Sequence, residues 1–326
     1  MESFTKTELT DNQLDLLVQT AFGLEISIIS KSELTGGMFN AAYELKLSDG
    51  RSVILKVAPS EEIETLSYEK NIMRTEVEAL RLIGGIGSVP VPEVYSYDDS
   101  LKQIPCPYFF MEKVEGQPYN EIKESLSQAE QEYIETELGR YNRAINEVKG
   151  EHFGYFAQSS VKAGVTWGAT FSLMMHELLA DGYRLGVQLP ATIEEIETEI
   201  LKYLPILNEV TEARLVHWDL WNGNVFVKNG CITSIIDWER ALWGDVLLEY
   251  YFRHLENSPA FIKGYGVEFN TPNEQLRKKM YDLYLDLIFY IECFSRQYKN
   301  EDHLQWAHDN LIQGWDRFRG TDGVEG

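Results

Sequence analysis

The densest run of side chains able to do chemistry is Leu215-Val-His-Trp-Asp-Leu-Trp-Asn-Gly-Asn-Val-Phe-Val227, continued by Lys228-Asn-Gly-Cys231 and Ile232-Thr-Ser-Ile-Ile-Asp-Trp-Glu239. Asn229-Gly230 between two β-branched apolar runs signals a hairpin with a two-residue turn. That register pairs Asn224 with Ile235 and Asp237 with Asn222, so Asn224 and Asp237 meet at the open end of the hairpin. Asp219 lies five residues upstream of Asn224, on the incoming loop. Oxygen atoms from Asp237 and Asn224 are hard ligands suited to a Mg²⁺ ion that is also held by phosphates. Asp219 beside them could orient and deprotonate a hydroxyl. The structural alternative is a set of Asn and Asp residues that cap turns at the hairpin mouth. Three such residues pinned by apolar strands favour a site.

A second pair stands apart in the first third of the chain. Lys56 sits inside the apolar strand Val53-Ile-Leu-Lys-Val57, and Glu76 sits inside the apolar stripe of Ile72, Met73, Val77 and Leu80. Those four residues predict a helix from about Glu61 to Leu82. A carboxylate or an ammonium aimed at a core needs a partner. Lys56 could instead snorkel to solvent along its stem.

The elements that must position these groups follow from turn signals and periodicity. Ile26–Ile29, Asn40–Leu47 and Val53–Val57 read as a three-stranded meander, with Asp49-Gly50 as a two-residue turn that sets Lys56 opposite Tyr43. Between the first two strands, Gly36-Gly37 lies in a turn where backbone amides can approach phosphate oxygens. Val94–Tyr97 and Tyr108–Met111 read as further strands, and the first lobe ends at Glu112-Lys-Val-Glu-Gly116. Beyond it the pattern is helical. Residues 121–137 carry six glutamates against one lysine, which predicts a solvated helix or lid. Apolar stripes predict helices over Thr166–Ala180 and Thr192–Leu204 and through the tail from Pro272 to Phe318.

The 326 residues carry a formal charge of −23, which disfavours nucleic-acid and anionic-membrane partners and favours a small cation or cationic substrate. Three cysteines, Cys106, Cys231 and Cys293, with no short metal-ligand spacing, argue against a disulfide framework and a cysteine-rich zinc site. The N-terminus lacks a signal-peptide pattern, and no stretch approaches the roughly 18 apolar residues of a membrane span. A soluble, cytoplasmic protein is expected.

His217-x-Asp219-x-x-x-x-Asn224 followed by Asp237 resembles the catalytic and metal motifs of the aminoglycoside phosphotransferase family, whose fold is kinase-like. The resemblance implies an α+β, bilobal, protein-kinase-like fold, with a small antiparallel-sheet N-lobe and a larger, mainly helical C-lobe. It implies a nucleotide-binding lobe and hinge over 1–115 and a catalytic, substrate-binding lobe over 116–326. ATP and Mg²⁺ are the implied cofactors. In this likeness Lys56 positions the α/β-phosphates, Glu76 orients Lys56, Asn224 and Asp237 hold Mg²⁺, and Asp219 receives the acceptor proton. Gly36 and Gly37 fall in the nucleotide-covering loop. Met111 backs the adenine pocket, and the Glu112 carbonyl and Val114 amide bond the base. His217 becomes an orienter, and Asp245 of Gly244-Asp245 accepts from backbone amides of the catalytic loop. Trp218 and Trp221 either pack that loop or touch substrate.

The implied activity is ATP-dependent phosphorylation of a hydroxyl on a small molecule. The acidic 121–137 segment, with Asp282, Asp286, Glu292, Asp302 and Asp309 in the tail, favours an amine-bearing acceptor such as an aminoglycoside. The alternatives are a kinase for an amino alcohol, amino acid or sugar, and a nucleotide-binding regulatory protein without transfer activity. The chain has no G-x-x-x-x-G-K-[ST] phosphate loop and no Ala-Pro-Glu after Asp237, which sets aside P-loop kinases and protein kinases.

Overall fold

The computed structural model describes residues 7–34, 39–60, 63–157, 165–255 and 258–320. The turn residues Gly36 and Gly37 lie outside these. A five-stranded antiparallel sheet forms the N-terminal lobe, in the order β1 (Ile28–Leu34), β2 (Ala41–Leu47), β3 (Ser52–Val57), β5 (Tyr108–Glu112), β4 (Val94–Asp98). Side chains alternate faces along a strand, and β3 shows the consequence. Val53, Leu55 and Val57 pack toward α1 (Asp11–Phe22), through Leu14, Leu17 and Val18. Ile54 faces the opposite side, toward α2 (Ile72–Ile86), with Met73, Val77 and Leu80. Lys56 shares that second face.

The turn before β3 is one residue longer than expected. Leu47 and Arg51 close a three-residue turn over Ser48, Asp49 and Gly50, with the Leu47 amide donating to the Arg51 carbonyl at 2.8 Å. Lys56 therefore stands opposite Ala42, and Tyr43 opposite Leu55. A one-residue change of register moves a partner to the other face, so Tyr43 joins the α1 side.

The expected long helix also differs. Its first part is replaced by a tight turn over Ser67–Glu69, and α2 starts only at Ile72, after Asn71 in a left-handed conformation (φ 60°). The helix then continues through Gly84-Gly85 and ends at Gly87. The amphipathic α1, opened by a Thr10–Gln13 capping box, was not among the expected elements.

The chain enters the C-terminal lobe through β6 (Gln117–Pro118), which pairs directly with β9 (Val225–Lys228) of the Asn229-Gly230 hairpin, whose other strand is β10 (Cys231–Ile235). At the joint, a Cβ on Gly116 would lie 2.6 Å from the Val227 carbonyl oxygen, so only glycine lets the two chains pass this closely. β6, β9 and β10 make one small sheet of this lobe, and β7 (Gly154–Tyr155), β11 (Leu242–Gly244) and β8 (Arg214–Val216) make another. Around these sit α3 (Tyr119–Ile122), α4 (Gln128–Glu147), α5 (Trp167–Arg184), α6 (Ile193–Leu201), α7 (Leu204–Leu207), α8 (Pro259–Tyr265), α9 (Pro272–Ser295) and α10 (Glu301–Arg319). The acidic 121–137 run faces largely outward, but Glu135 turns inward, accepting from Tyr119 Oη at 3.1 Å and Ser258 Oγ at 2.5 Å. Among the described residues no helix is long and apolar enough to cross a membrane.

Candidate active site

The hairpin carries its polar residues to one mouth, with a bulge the turn signal did not reveal. Cys231 pairs with Lys228 and Ile232 with Val227, but Thr233 is looped out and its Oγ1 donates to the Glu115 carbonyl at 2.5 Å. Beyond the bulge the register shifts by one, and the Ile236 amide donates to the Asn224 carbonyl at 3.0 Å. Asn224 is thus opposite Ile236, not Ile235. Asn224 and Asp237 still line one cavity with Asp219.

Two non-glycine residues here hold left-handed backbone, Trp218 (φ 67°) and Asp237 (φ 59°). Such conformations cost on the order of 1 kcal/mol each, persist only when their surroundings enforce them, and concentrate at functional sites. The enforcing contacts are visible. His217 is fully buried; its Nε2 donates to the Ile236 carbonyl at 2.9 Å and its Nδ1 accepts from the Asp219 amide at 3.3 Å. That arrangement is the neutral imidazole, and burial pushes its pKa down to about 4. His217 ties the loop carrying Asp219 to the Asp237 segment and has no ring nitrogen free to act as a base.

The expected role of Asp245 belongs to another residue. Asp245 accepts from Arg277 Nε and Tyr281 Oη, each at 2.8 Å, and from the Leu247 amide of its own turn. The catalytic-loop amides go instead to the fully buried Glu249, which accepts from the amides of His217 (3.1 Å) and Leu220 (3.4 Å). The two tryptophans also separate. Trp218 is buried and stacked on Tyr284 at 5.7 Å between ring centroids, whereas Trp221 is 39% exposed and lines the cavity. A Cβ on Gly223 would stand 2.2 Å from the Trp221 ring, so this glycine lets the indole fold across the loop.

Lys56 Nζ meets Glu76 Oε1 at 2.6 Å and also contacts the Asp237 carboxylate. Burial alone would lower the Lys56 pKa, but Asp237, Glu76 and Glu239 together hold it above its ordinary value, so the ammonium stays charged. Burial raises Glu76 to about 7 against the pull of Lys56. Asp219 is raised to about 6, by burial first, with Asp237 and Glu292 adding to the rise and Arg240 and Asn224 opposing it. Asn224 Nδ2 donates to the Asp219 side chain at 3.1 Å and to its carbonyl at 2.9 Å.

These groups surround a cavity of about 600 Å³ between the lobes. Met111, Glu112 and Val114 form one end, with Ile54, Ala42 and Phe226 as apolar walls suited to a planar base. Asp219, Asn224 and Asp237 form the other. A larger cavity of about 810 Å³ on the flank of the C-terminal lobe, beside α8, contains none of the expected site residues. Three residues that sequence reasoning missed also line this interlobe cavity: Glu239, which accepts from Asn40 Nδ2 at 3.0 Å, and Arg240 and Arg296, both held by Glu292. The donor set suits Mg²⁺. Asp237 presents a partly exposed carboxylate, and Asn224 uses its amide nitrogen on Asp219, leaving its oxygen as the remaining donor. Two protein oxygens are a normal share for an ion completed by water and phosphate.

The model of the phosphotransferase enzyme family (APH) matches residues 32–271. The chain belongs to this family. Its bilobal, kinase-like fold recurs in solved structures of low identity. The streptomycin–ATP ternary complex of APH(2")-IIa is 14% identical with a TM-score of 0.62, covering 96% of this chain and 99% of that one. A thermostable mutant of APH(4)-Ia, in ternary complex with ADP and hygromycin B, is 19% identical with a TM-score of 0.60, covering 96% of this chain and 100% of that one. A Thermobifida fusca protein described as a fructosamine-3-kinase is 18% identical with a TM-score of 0.63, covering 93% and 99%. No curated protein sequence matches the chain.

Proposed function

We propose that this phosphotransferase-family chain moves the γ-phosphoryl group of ATP to a hydroxyl of a small, amine-bearing acceptor. The observation that carries the reading is the convergence of the Lys56–Glu76 ion pair, Asp219, Asn224 and Asp237 on one interlobe cavity. Residues 1–115 would hold the nucleotide and 116–326 the acceptor. The adenine would lie against Met111 and bond the backbone of Glu112 and Val114, with Gly36 and Gly37 above the phosphates. Lys56, kept charged by its carboxylate neighbours and aimed by Glu76, would hold the α/β-phosphates. Asn224 and Asp237 would hold Mg²⁺, which supplies charge neutralisation between the phosphates when bound. Asp219 would align the acceptor hydroxyl and take its proton. Catalysis then rests on alignment and charge placement, with no covalent enzyme intermediate.

Fewer acidic groups are open to an acceptor in the fold than the sequence suggests. Asp282, Asp286 and Glu292 are buried and engaged by Arg253, Arg240 and Arg296, and none of them lines the interlobe cavity. Arg240 and Arg296 line the cavity with Asp219 but are themselves buried and engaged by Glu292 and Glu69, so this lining does not set an aminoglycoside apart from the second reading, an amino alcohol, amino acid or sugar. Mg·ATP turnover with a panel of aminoglycosides, choline-like alcohols, homoserine and amino sugars separates the two. Nucleotide binding without acceptor-dependent ADP release would point to the regulatory protein instead.

A further inference from the structure

The turn Ser67–Glu69 belongs to the N-terminal lobe by sequence, yet its polar groups are spent on the C-terminal lobe. The Ser67 amide and hydroxyl donate to the two carboxylate oxygens of Asp181 on α5, at 2.6 and 3.1 Å. Tyr68 Oη donates to Glu292 on α9. Glu69 Oε1 accepts from Arg296 at 2.6 Å, while its Oε2 caps the Leu66 amide at 2.8 Å. Arg240 and Arg296 in turn reach the same Glu292 oxygen at 2.6 and 3.3 Å. Two guanidiniums thus face two carboxylates, all four residues at most 9% exposed, in a cluster that is neutral overall. A buried set of this kind is a weak source of net stability, but breaking it leaves an uncompensated charge, so it defines geometry sharply.

That geometry bears on Glu76. Helix α2 begins just after this turn, and its N-cap residue Asn71 makes no side-chain capping bond, so the helix start is not secured by its own sequence. Glu76 lies seven residues beyond Glu69 and is fully buried; one oxygen meets Lys56 and the other has no partner among the described residues. Nothing local to Glu76 fixes its aim. The helix as a whole does, and α2 packs against the turn Trp238–Arg240 that carries Arg240.

We propose that Tyr68 and Glu69 are positioning residues: docked onto Arg240, Glu292 and Arg296, they hold α2 so that Glu76 keeps Lys56 aligned for phosphate. The proposal rests on the reading of Lys56 as the phosphate-binding lysine. A merely structural role would lower stability alone; a positioning role must act through Lys56, which neither residue touches.

The test is a double-mutant cycle read by calorimetric Mg·ATP affinity on the full chain. Glu69→Gln should weaken binding by roughly 3–30-fold, the range of long-range coupling, while leaving affinity unchanged in a Lys56→Met background. Tyr68→Phe, which keeps the ring beneath Arg240, is the variant least able to disturb folding and should act the same way with a smaller loss. Arg296→Lys should retain more affinity than Arg296→Met. Equal losses with and without Lys56, or lower melting temperature at unchanged affinity, overturn the positioning role alone. An unaltered chain that binds no Mg·ATP overturns the phosphotransfer reading, and this proposal with it.

Discussion

Glu249 holds His217 by its backbone: the His217 amide donates to Glu249 Oε2 at 3.1 Å, across 32 residues of sequence. The same carboxylate accepts from the Leu220 amide at 3.4 Å, the Asn142 side chain at 3.1 Å and the Tyr250 amide at 3.1 Å. An anion accepting from several N–H groups at once has no donor of its own to misplace. Glu249→Gln keeps the shape but turns an amino group toward these donors. Leaving a buried amide unpaired costs about 1–3 kcal/mol, so urea unfolding should register a loss of that order. Phosphoryl transfer should fall further than stability accounts for, by roughly 10–100-fold, because the loop carrying Asp219 is no longer fixed. Wild-type turnover in this variant would remove Glu249 from the site.

What could be read in the sequence were the local signals. The Asn229-Gly230 turn and the polar run before it located Asp219, Asn224 and Asp237, and the apolar stripe around Glu76 demanded the partner that Lys56 provides. The register errors came from features without such a signal: the looped-out Thr233, stabilised by a carbonyl from the distant residue Glu115, and a turn lengthened by one residue before Lys56. Glu249 has no motif, since its role exists only when α4 and the catalytic loop converge on it. Glu292 did carry a sign that it is buried and not open to an acceptor. It follows Tyr284-Leu-Asp-Leu-Ile-Phe-Tyr-Ile291, where a carboxylate can be buried only against a cation, by the same logic that demands a partner for Glu76.

His217 gives a prediction on stability. Its folded pKa of about 4 lies below the unfolded value of about 6.5, so the unfolded chain takes up this proton first as pH falls. Its stabilising contribution is therefore present above pH 6.5 and is lost toward pH 4, by up to about 3 kcal/mol. Glu76 and Asp219, with raised pKa values, act in the opposite sense over the same range, so the wild-type curve alone does not isolate the histidine. The difference between wild type and His217→Gln does. Unfolding free energies should converge as pH falls from 7 to 4; parallel curves would mean that His217 takes up its proton over the same pH range in the folded and unfolded chain.

Asp237→Asn tests the metal end. It removes the one charged oxygen assigned to Mg²⁺ and also the carboxylate that helps keep Lys56 charged. Transfer should drop to near background while the melting temperature stays close to wild type, because Asp237 is partly exposed and Lys56 retains Glu76. The Mg²⁺ concentration for half-maximal activity of any residual transfer should rise. Normal turnover at ordinary Mg²⁺ would overturn the assignment.

Asp219 joins the geometry to a pH profile. With its carboxyl raised to about 6, the fraction ionised falls as the solution drops below that pH, and only the ionised form can take the acceptor proton. The value of kcat/KM for acceptor, which reports the free enzyme, should therefore decline on the acid side with an apparent pKa near 6. Arg240 opposes that rise, so Arg240→Gln should move the acid limb to higher pH, a shift that loss of packing alone would not produce. Asp219→Asn keeps the size and the bond from Asn224 but removes the base. Transfer should fall by roughly 10²–10⁴-fold with Mg·ATP binding intact, and the acid limb should vanish from what remains. The loss sits toward the lower figure if bond formation to the acceptor lags behind cleavage, since the attacking oxygen then needs little deprotonation in the transition state. Transfer and nucleotide affinity falling together would assign Asp219 to holding the nucleotide, and an acid limb that survives in Asp219→Asn would assign the titration to another group.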